Sequence, residues 1–345
     1  MIKPFSSDII KNIAEINLEK ENFSSKDKIF VIYRVEEYGL THTGLIALVS
    51  LNNNNNHQTI HKHEAVSIFK LSKLIKEFSS FPYQKQPIIL LHKPSEHNLL
   101  ANLTSGAQKV IFHHLDSIST IWFIRDAKHV KQIEESYNSY QDLYIADGHH
   151  RYEALHVLSQ SQPEVYQDPY ILALLIPLNG VNLCPYNKII SNINAKKYNM
   201  FLRKINNFFL LTPVDKTVRS TRANECYMYF EKKWYLLSCK FFFKININNL
   251  AIIILEENIF DDFLQIEDSE PNGVEYVTGI IGSNYLEQRV SQLYNAVAFS
   301  FNSLHKKLLL NIFETQALLP LCSTCFLPKP NTEIFNFRIN SAIKN

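Results

Sequence analysis

The 345-residue sequence predicts an α+β protein built as two lobes. Three observations carry that expectation. The chain is longer than the ~250–300 residues at which a single hydrophobic core stops growing. Stretches with strand and helix patterns are mixed, without the regular alternation of a doubly wound sheet. Near residue 196 a run of short buried strands gives way to a helix and then aromatic-rich strands, so the expected lobes are 1–195 and 196–345, with the tail of the second packing back on the first. Composition agrees: 46% hydrophobic and 20% charged residues supply a core and exclude a disordered chain. The formal net charge of +2 argues neither for nor against a nucleic-acid partner.

From the N-terminus, KIFVIYRVEEYGLTHTGLIALVSL (28–51) alternates, is rich in β-branched and aromatic residues, and reads as two strands around a Tyr38–Gly39 turn. The low-complexity NNNNNH (52–57) reads as a loop or hairpin connection. HEAVSIFKLSKLIKEF has apolar residues at 66, 68, 69, 71, 74, 75 and 78, a helical rhythm. PIILLHK is a short buried strand, and TIWFIRD is another that ends at Asp126. A polar helix, AKHVKQIEESYNSY, leads to the strand DLYIA; RYEALHVLSQSQ is a helix, with apolar positions 152, 155 and 158. DPYILALLIPL and LCPYNKIISNI continue as strands. Beyond them come helix AKKYNMFLRKINNFF, the β-rich ECYMYFEKKWYLLSCKFFFKI, helical AIIILEENIFDDFLQI, strand VEYVTGI and helix NYLEQRVSQLYNAV (284–297). No internal repeat is visible.

The five cysteines (Cys184, Cys226, Cys239, Cys322 and Cys325) are odd in number and scattered, which predicts reduced thiols. The most apolar runs, YILALLIPL and LAIIILEENIF, are broken by Pro or acids well short of the ~20 residues of a membrane span. The first twenty residues lack the apolar core and cleavage site of a signal peptide. A cytoplasmic protein without a membrane partner is expected.

The stretch that asks for chemistry is YIADGHHRYEAL (144–155). A buried strand ends at Ala146, Gly148 permits a tight turn, and a helix begins near His149. Free N–H groups and the positive dipole end at a helix start favour an anion. His149, His150 and Arg151 add donors beside it, and an arginine fork suits phosphate oxygens. Asp147 could hold Mg²⁺ or orient a substrate hydroxyl. The ordinary alternative is an Asp N-cap followed by surface histidines. A second cluster is HKHEAV: the spacing of His61 and His63 puts both imidazoles on one strand face, which suits a metal, with Glu64 facing the other way. Its ordinary alternative is an exposed polar strand end. CSTC (322–325) has the spacing of half a zinc site or of a redox pair, and a structural zinc site would need a second pair, which the scattered Cys184, Cys226 and Cys239 do not supply. Ser323 and Thr324, with Lys329 set between two prolines, could instead contact a ligand.

Six stretches, TGLIALVSL, TIHKHEAV, IWFIRD, YIADGHHRYEAL, YNKII and CSTCFLPKP, occur in the order of the motifs of the bacterial and archaeal family called domain of unknown function 1015. From about residue 30 to 338 the chain resembles that family. The resemblance places His63 and Glu64 in its H-E motif, Asp126 at the end of W-x-I-x-D, Asn187 in Y-N-R, and Ser323, Thr324 and Lys329 in the terminal segment. The G-H-H-R core is also similar to the phosphate-binding box of the ParB/sulfiredoxin superfamily, which includes free serine kinases carrying D-G-H-H-R. His149 stands where sulfiredoxins have their catalytic cysteine, which argues against that chemistry. This likeness implies a ParB/sulfiredoxin-like nucleotide-binding lobe with a mixed sheet, and a small-molecule kinase making O-phosphoserine. There are departures. IKPF is present at 2–5 but the family's following P-P-Y-D-V is missing, and Val66, Ser72, Lys73, Lys188 and Cys322 replace residues of its motifs.

The resulting expectation is a kinase acting on the hydroxyl of free L-serine or a similar small hydroxy amino acid, with ATP or ADP as donor and Mg²⁺ as cofactor. Gly148, His149, His150 and Arg151 would hold the phosphates. Glu64 would accept the hydroxyl proton, and Asp147 would place Mg²⁺ or substrate. His63, Asp126, Asn187, Ser323, Thr324 and Lys329 would support the site or the substrate. Two other readings compete: a ParB-type nucleotide-binding regulator, and a metal-dependent hydrolase using His61, His63, Asp147 and His149. No DNA-binding helix pair on a basic surface is evident, so no nucleic-acid partner is expected.

Overall fold

The computed structural model describes residues 1–6, 9–10, 28–51, 58–94, 99–105, 107–215, 222–240, 247–266 and 273–339. The asparagine run at 52–57 lies outside them, as does 241–246 of the β-rich stretch. The chain falls into two units. The first comprises Met1–Lys62, Lys70–Asn182 and Phe326–Asn345; the second comprises His63–Phe69 and Leu183–Cys325.

In the first unit the short strands β1 (Ile2–Lys3) and β2 (Phe5–Ser6) precede the hairpin of β3 (Lys28–Glu37) and β4 (Leu40–Ser50). Tyr38 and Gly39 both have positive φ, 52° and 72°, the backbone that a two-residue hairpin turn needs to match strand twist. Then come β5 (Thr59–His61), α1 (Ile68–Ser80), β6 (Tyr83–Gln84), β7 (Ile88–His92), α2 (Leu99–Thr104), β8 (Lys109–His114) and β9 (Ser117–Ile124). They are followed by α3 (Ala127–Asn138), β10 (Asp142–Asp147), α4 (His149–Ser161) and β11 (Tyr170–Pro177). Among the described residues these strands form one mixed sheet, ordered β5-β10-β7-β11-β4-β3-β9-β8, with β1 and β2 paired to β4 and β3. The β5–β10 and β7–β11 pairs are parallel, and the others along this path are antiparallel. All of β7, and β11 from Ile171 to Ile176, is buried, as continuous apolar runs covered on both faces should be.

The second unit carries β12 (Leu183–Ile190), α5 (Ala195–Phe208), β13 (Phe209–Val214), β14 (Glu225–Phe230) and β15 (Lys233–Cys239). It continues with α6 (Ala251–Leu255), which runs into a π-helical stretch (Glu256–Leu264), then β16 (Val274–Thr278), α7 (Ser283–Ser291), β17 (Val297–Phe301), α8 (Lys306–Glu314) and β18 (Thr324–Phe326). Its sheet runs β13-β15-β14-β17-β12-β16, with β18 paired to β12. Phe201 and Ile205 of α5 pack with Phe230, Phe260 and Phe299 in its core. The last strand, β19 (Phe337–Arg338), pairs with β6.

The α+β class, with one large mixed sheet and a second sheet, is the class that the sequence predicts. Three elements differ in extent. Residues 63–67 are not helical, because their backbone is taken elsewhere: Leu319 N donates to His63 O at 2.7 Å and Ala65 N donates to Leu319 O at 3.0 Å. The expected strand ending at Asp126 stops at Ile124, and Asp126 begins the next helix instead. The helix expected to reach residue 297 stops at Ser291, since Val297, Ala298 and Phe299 pair with β12 while 298–301 pair with β14. No helix among the described residues is long and apolar enough to cross a membrane.

Candidate functional site

In the first unit the residues from 144 to 155 make the strand–turn–helix that their sequence predicts. The ladder between β10 and β7 shifts register between Ile145 and Asp147. That irregularity re-aims Asp147 at the strand end, a familiar use of bulges. Gly148 then takes φ 101° and ψ 24° as the residue capping α4, without a side-chain cap. A Cβ there would lie 2.5 Å from Ile88 Cγ2 and 2.9 Å from Ile88 Cβ. Glycine is therefore required twice, by the left-handed backbone and by the close approach of β7.

The charges converge on Asp147. Arg151 donates from its second terminal nitrogen to Asp147 Oδ2 at 2.8 Å, and Lys329 Nζ donates to Asp147 Oδ1 at 2.7 Å. Arg151 also donates to the carbonyls of Gln86 at 2.6 Å and Pro87 at 3.2 Å. The arginine thus spends donors inward, tying the turn to the loop before β7. Lys329 is held in turn by its own segment: Gln86 Nε2 donates to Pro330 O at 2.8 Å, and Asn331 N donates to the Tyr33 hydroxyl at 2.9 Å. Burial pushes the Asp147 carboxyl up, but Lys329 and Arg151 outweigh it and hold the group below its ordinary value, hence ionised. His149 is buried, and desolvation, with His150, Lys62 and Arg151 nearby, brings its pKa down to about 3. It is a neutral imidazole at pH 7.

In the second unit Glu64 and Thr324 meet across the chain. Glu64 Oε1 accepts from Thr324 N at 2.6 Å and from Thr324 Oγ1 at 2.5 Å. His63 Nε2 lies 2.7 Å from Thr324 Oγ1. Since the Thr324 proton goes to the carboxylate, His63 must donate from Nε2, which gives the order His63, Thr324, Glu64. The backbone exchange with Leu319 and the ring contact of His63 with Phe313, centroids 4.8 Å apart, fix this group in place.

The other sequence-predicted residues have different work. His61 and His63 do not share a strand face: β5 ends at His61, whose Nε2 lies 2.7 Å from Asp142 Oδ1 and whose ring stacks on Tyr144. Asp126 caps α3, accepting from His129 N at 3.0 Å, and is exposed. Asn187 is buried in β12 and its Oδ1 accepts from Phe301 N at 3.1 Å. Ser323 donates to Pro320 O at 2.6 Å. Cys325 is buried, and its carbonyl accepts from Cys184 Sγ at 3.3 Å. Among the described residues no group of three or more His, Cys, Asp or Glu side chains could hold a metal ion. Both oxygens of Asp147 already face cations, so the donor set fits a resident Mg²⁺ poorly. Sequence reasoning missed Gln86 and Tyr33, whose signal is only their place beside β7 and in β3.

A family model described as a protein of unknown function, DUF1015, matches residues 10–253. No curated protein sequence matches the chain. Among solved structures, a mutant free serine kinase in complex with ADP is similar, at 9% identity and a TM-score of 0.50, over 86% of this chain and 92% of that one. A conserved hypothetical protein from Pyrococcus furiosus is similar at 10% identity and a TM-score of 0.47, over 86% and 95%. So is SbnI from Staphylococcus aureus with a C-terminal truncation, at 12% identity and 0.45, over 87% and 90%.

Proposed function

We propose, on the premise that this chain belongs to the DUF1015 family, that it is a nucleotide-dependent kinase for a small hydroxy amino acid such as free serine. The observation that carries the reading is the Asp147–Gly148–His149 turn. It brings a helix N-terminus, a guanidinium and an ammonium to one left-handed glycine. Such an arrangement suits phosphate oxygens. The solved free serine kinase that shares this fold was captured with ADP, which supports a nucleotide here.

Phosphoryl transfer depends chiefly on positioning and charge neutralisation. In this reading the N–H groups that open α4 and the Lys329 ammonium face the phosphate oxygens, while Asp147 keeps the ammonium aimed. Arg151 acts mainly as the strut of the turn. Glu64 is the general base that receives the acceptor hydroxyl's proton, its carboxylate oriented by the two donors of Thr324.

The deciding experiment incubates the protein with ATP or ADP and a panel of hydroxy amino acids, followed by phosphorus NMR. A new phosphomonoester resonance that needs both nucleotide and one acceptor is the expected result. Nucleotide binding with no phosphomonoester from any acceptor would overturn the kinase reading in favour of a nucleotide-binding regulator.

A further inference from the structure

Away from the Gly148 turn, the first unit holds a cleft of about 610 Å³ at the other end of β7. Ile89 of β7 pairs with Asp147, whereas His92, at the far end of β7, pairs with Pro177 and lines the cleft. The volume lies within the range that encloses a small organic ligand.

From the sheet, the cleft is lined by Arg34, Thr41, Thr43 and Trp122. Arg34 sits opposite Thr43 on one side and Thr120 on the other, so these three share a face. By the two-residue period Thr41 and Trp122 share it as well. Farther along β3 the chain is buried and apolar from Ile29 to Tyr33. Arg34 Nε lies 2.9 Å from Glu36 Oε1 as an ion pair without forming a hydrogen bond, and the arginine side chain is 43% exposed. A guanidinium fork of that kind matches one carboxylate.

Aromatic rings line the cleft as well. The His92 ring lies 4.4 Å from that of Tyr140 and 5.4 Å from that of Tyr137. His92 is buried, and its Nδ1 donates to Lys93 O at 2.9 Å. That leaves Nε2 as an acceptor, buried and without a partner among the described residues. Burial brings the His92 pKa down to about 4, so the ring is neutral at pH 7 and still offers this lone pair. Buried acceptors left without a donor are disfavoured, and a ligand N–H or O–H is the donor it lacks.

We propose that this cleft binds a small aromatic carboxylic acid that also carries a ring O–H or N–H, with its ring against Trp122 and Tyr140, that donor on His92 Nε2 and its carboxylate on Arg34. A monocarboxylate is favoured over a nucleotide because, among the described residues, Arg34 is the only Lys or Arg lining the cleft, and Glu36 already offsets part of its charge. One guanidinium cannot balance a polyphosphate. The site is separate from the kinase reading and does not depend on it.

The test is calorimetric titration of the full chain with 4-hydroxyphenylacetate and indole-3-acetate, with benzoate, benzamide and AMP for comparison. At least one of the two acids binds saturably, and benzoate and benzamide bind more weakly. Arg34→Ala lowers that affinity tenfold or more, and Thr43→Val, an exposed position, lowers it severalfold with the circular dichroism spectrum unchanged. If Arg34→Ala does not fold, Arg34→Lys takes its place, because the ammonium keeps the charge and loses the fork. The proposal is overturned if neither of the two acids binds, if the Arg34 and Thr43 variants that fold bind as the parent does, or if AMP alone binds in an Arg34-dependent way.

Discussion

Asp147 and Glu64 are both carboxylates withdrawn from solvent, and their surroundings differ in kind. Asp147 faces two cations, Lys329 and Arg151, one on each oxygen. Glu64 has Thr324 N–H and O–H on one oxygen, with the neighbouring His63 behind the hydroxyl. A carboxylate flanked by cations stays ionised and is a weak base, so it serves as an anchor for positive charge. A carboxylate held by uncharged donors is oriented without being neutralised, which is the state a proton acceptor needs. Under the proposed kinase reading the two groups therefore do different work.

The largest effect that would break this contrast is catalytic. Glu64→Gln keeps an acceptor for Thr324 and removes the base, and turnover in the phosphorus NMR assay should fall ~10²–10⁴-fold with nucleotide affinity nearly unchanged. If Asp147→Asn abolishes turnover while Glu64→Gln does not, the roles are reversed.

Next in size are changes to the scaffold of the turn. Gly148→Ala forces a side chain into left-handed backbone and against Ile88, and should cost about 2–4 kcal/mol in urea unfolding. Arg151→Ala leaves Asp147 and the Gln86 carbonyl short of a donor and should cost ~2–3 kcal/mol. A variant of either kind as stable as the parent would remove the strut role.

A third prediction separates the turn by pH. Because His149 has its pKa brought down to about 3 from 6.5, the unfolded chain takes up a proton that the folded chain refuses. Stability is therefore full above 6.5 and falls as pH drops from 6.5 toward 3. The depressed Asp147 adds a loss only below its ordinary value of 3.8. His92, with its pKa at about 4, contributes to the same phase, so His149→Gln should reduce that phase without removing it and should leave the second; an unchanged profile would show that His149 is not one of the groups responsible.

The smallest effect is at Lys329, whose side chain is one-third exposed at 34%. Lys329→Ala should cost only ~0.5–1 kcal/mol of stability. It should nevertheless weaken nucleotide binding several-fold more than Lys62→Ala does, since Lys62 is paired with Glu153 on α4. Equal losses in the two variants would mean that the ammonium on Asp147 has no special place.

What the sequence by itself determined is local. The hairpin at 28–51 follows from alternation around a Tyr-Gly pair. The turn at Gly148 follows from one glycine between a buried strand and a helical repeat. These signals lie within a dozen residues of one another, where backbone propensity and side-chain period act directly. The tertiary structure alone decided the rest. Lys329 reaches Asp147 from 182 positions away, and Thr324 reaches Glu64 from 260. No local pattern announces such pairs, because hydrogen-bond partners are chosen by which strands and loops fold together. The same reason ended the expected helix at Ser291 instead of 297: Val297 pairs with β12 as the first residue of β17, and that pairing outweighed the helical pattern. It also turned Arg151 inward, since two carbonyls and a carboxylate lay within its reach once β7 and β10 were side by side.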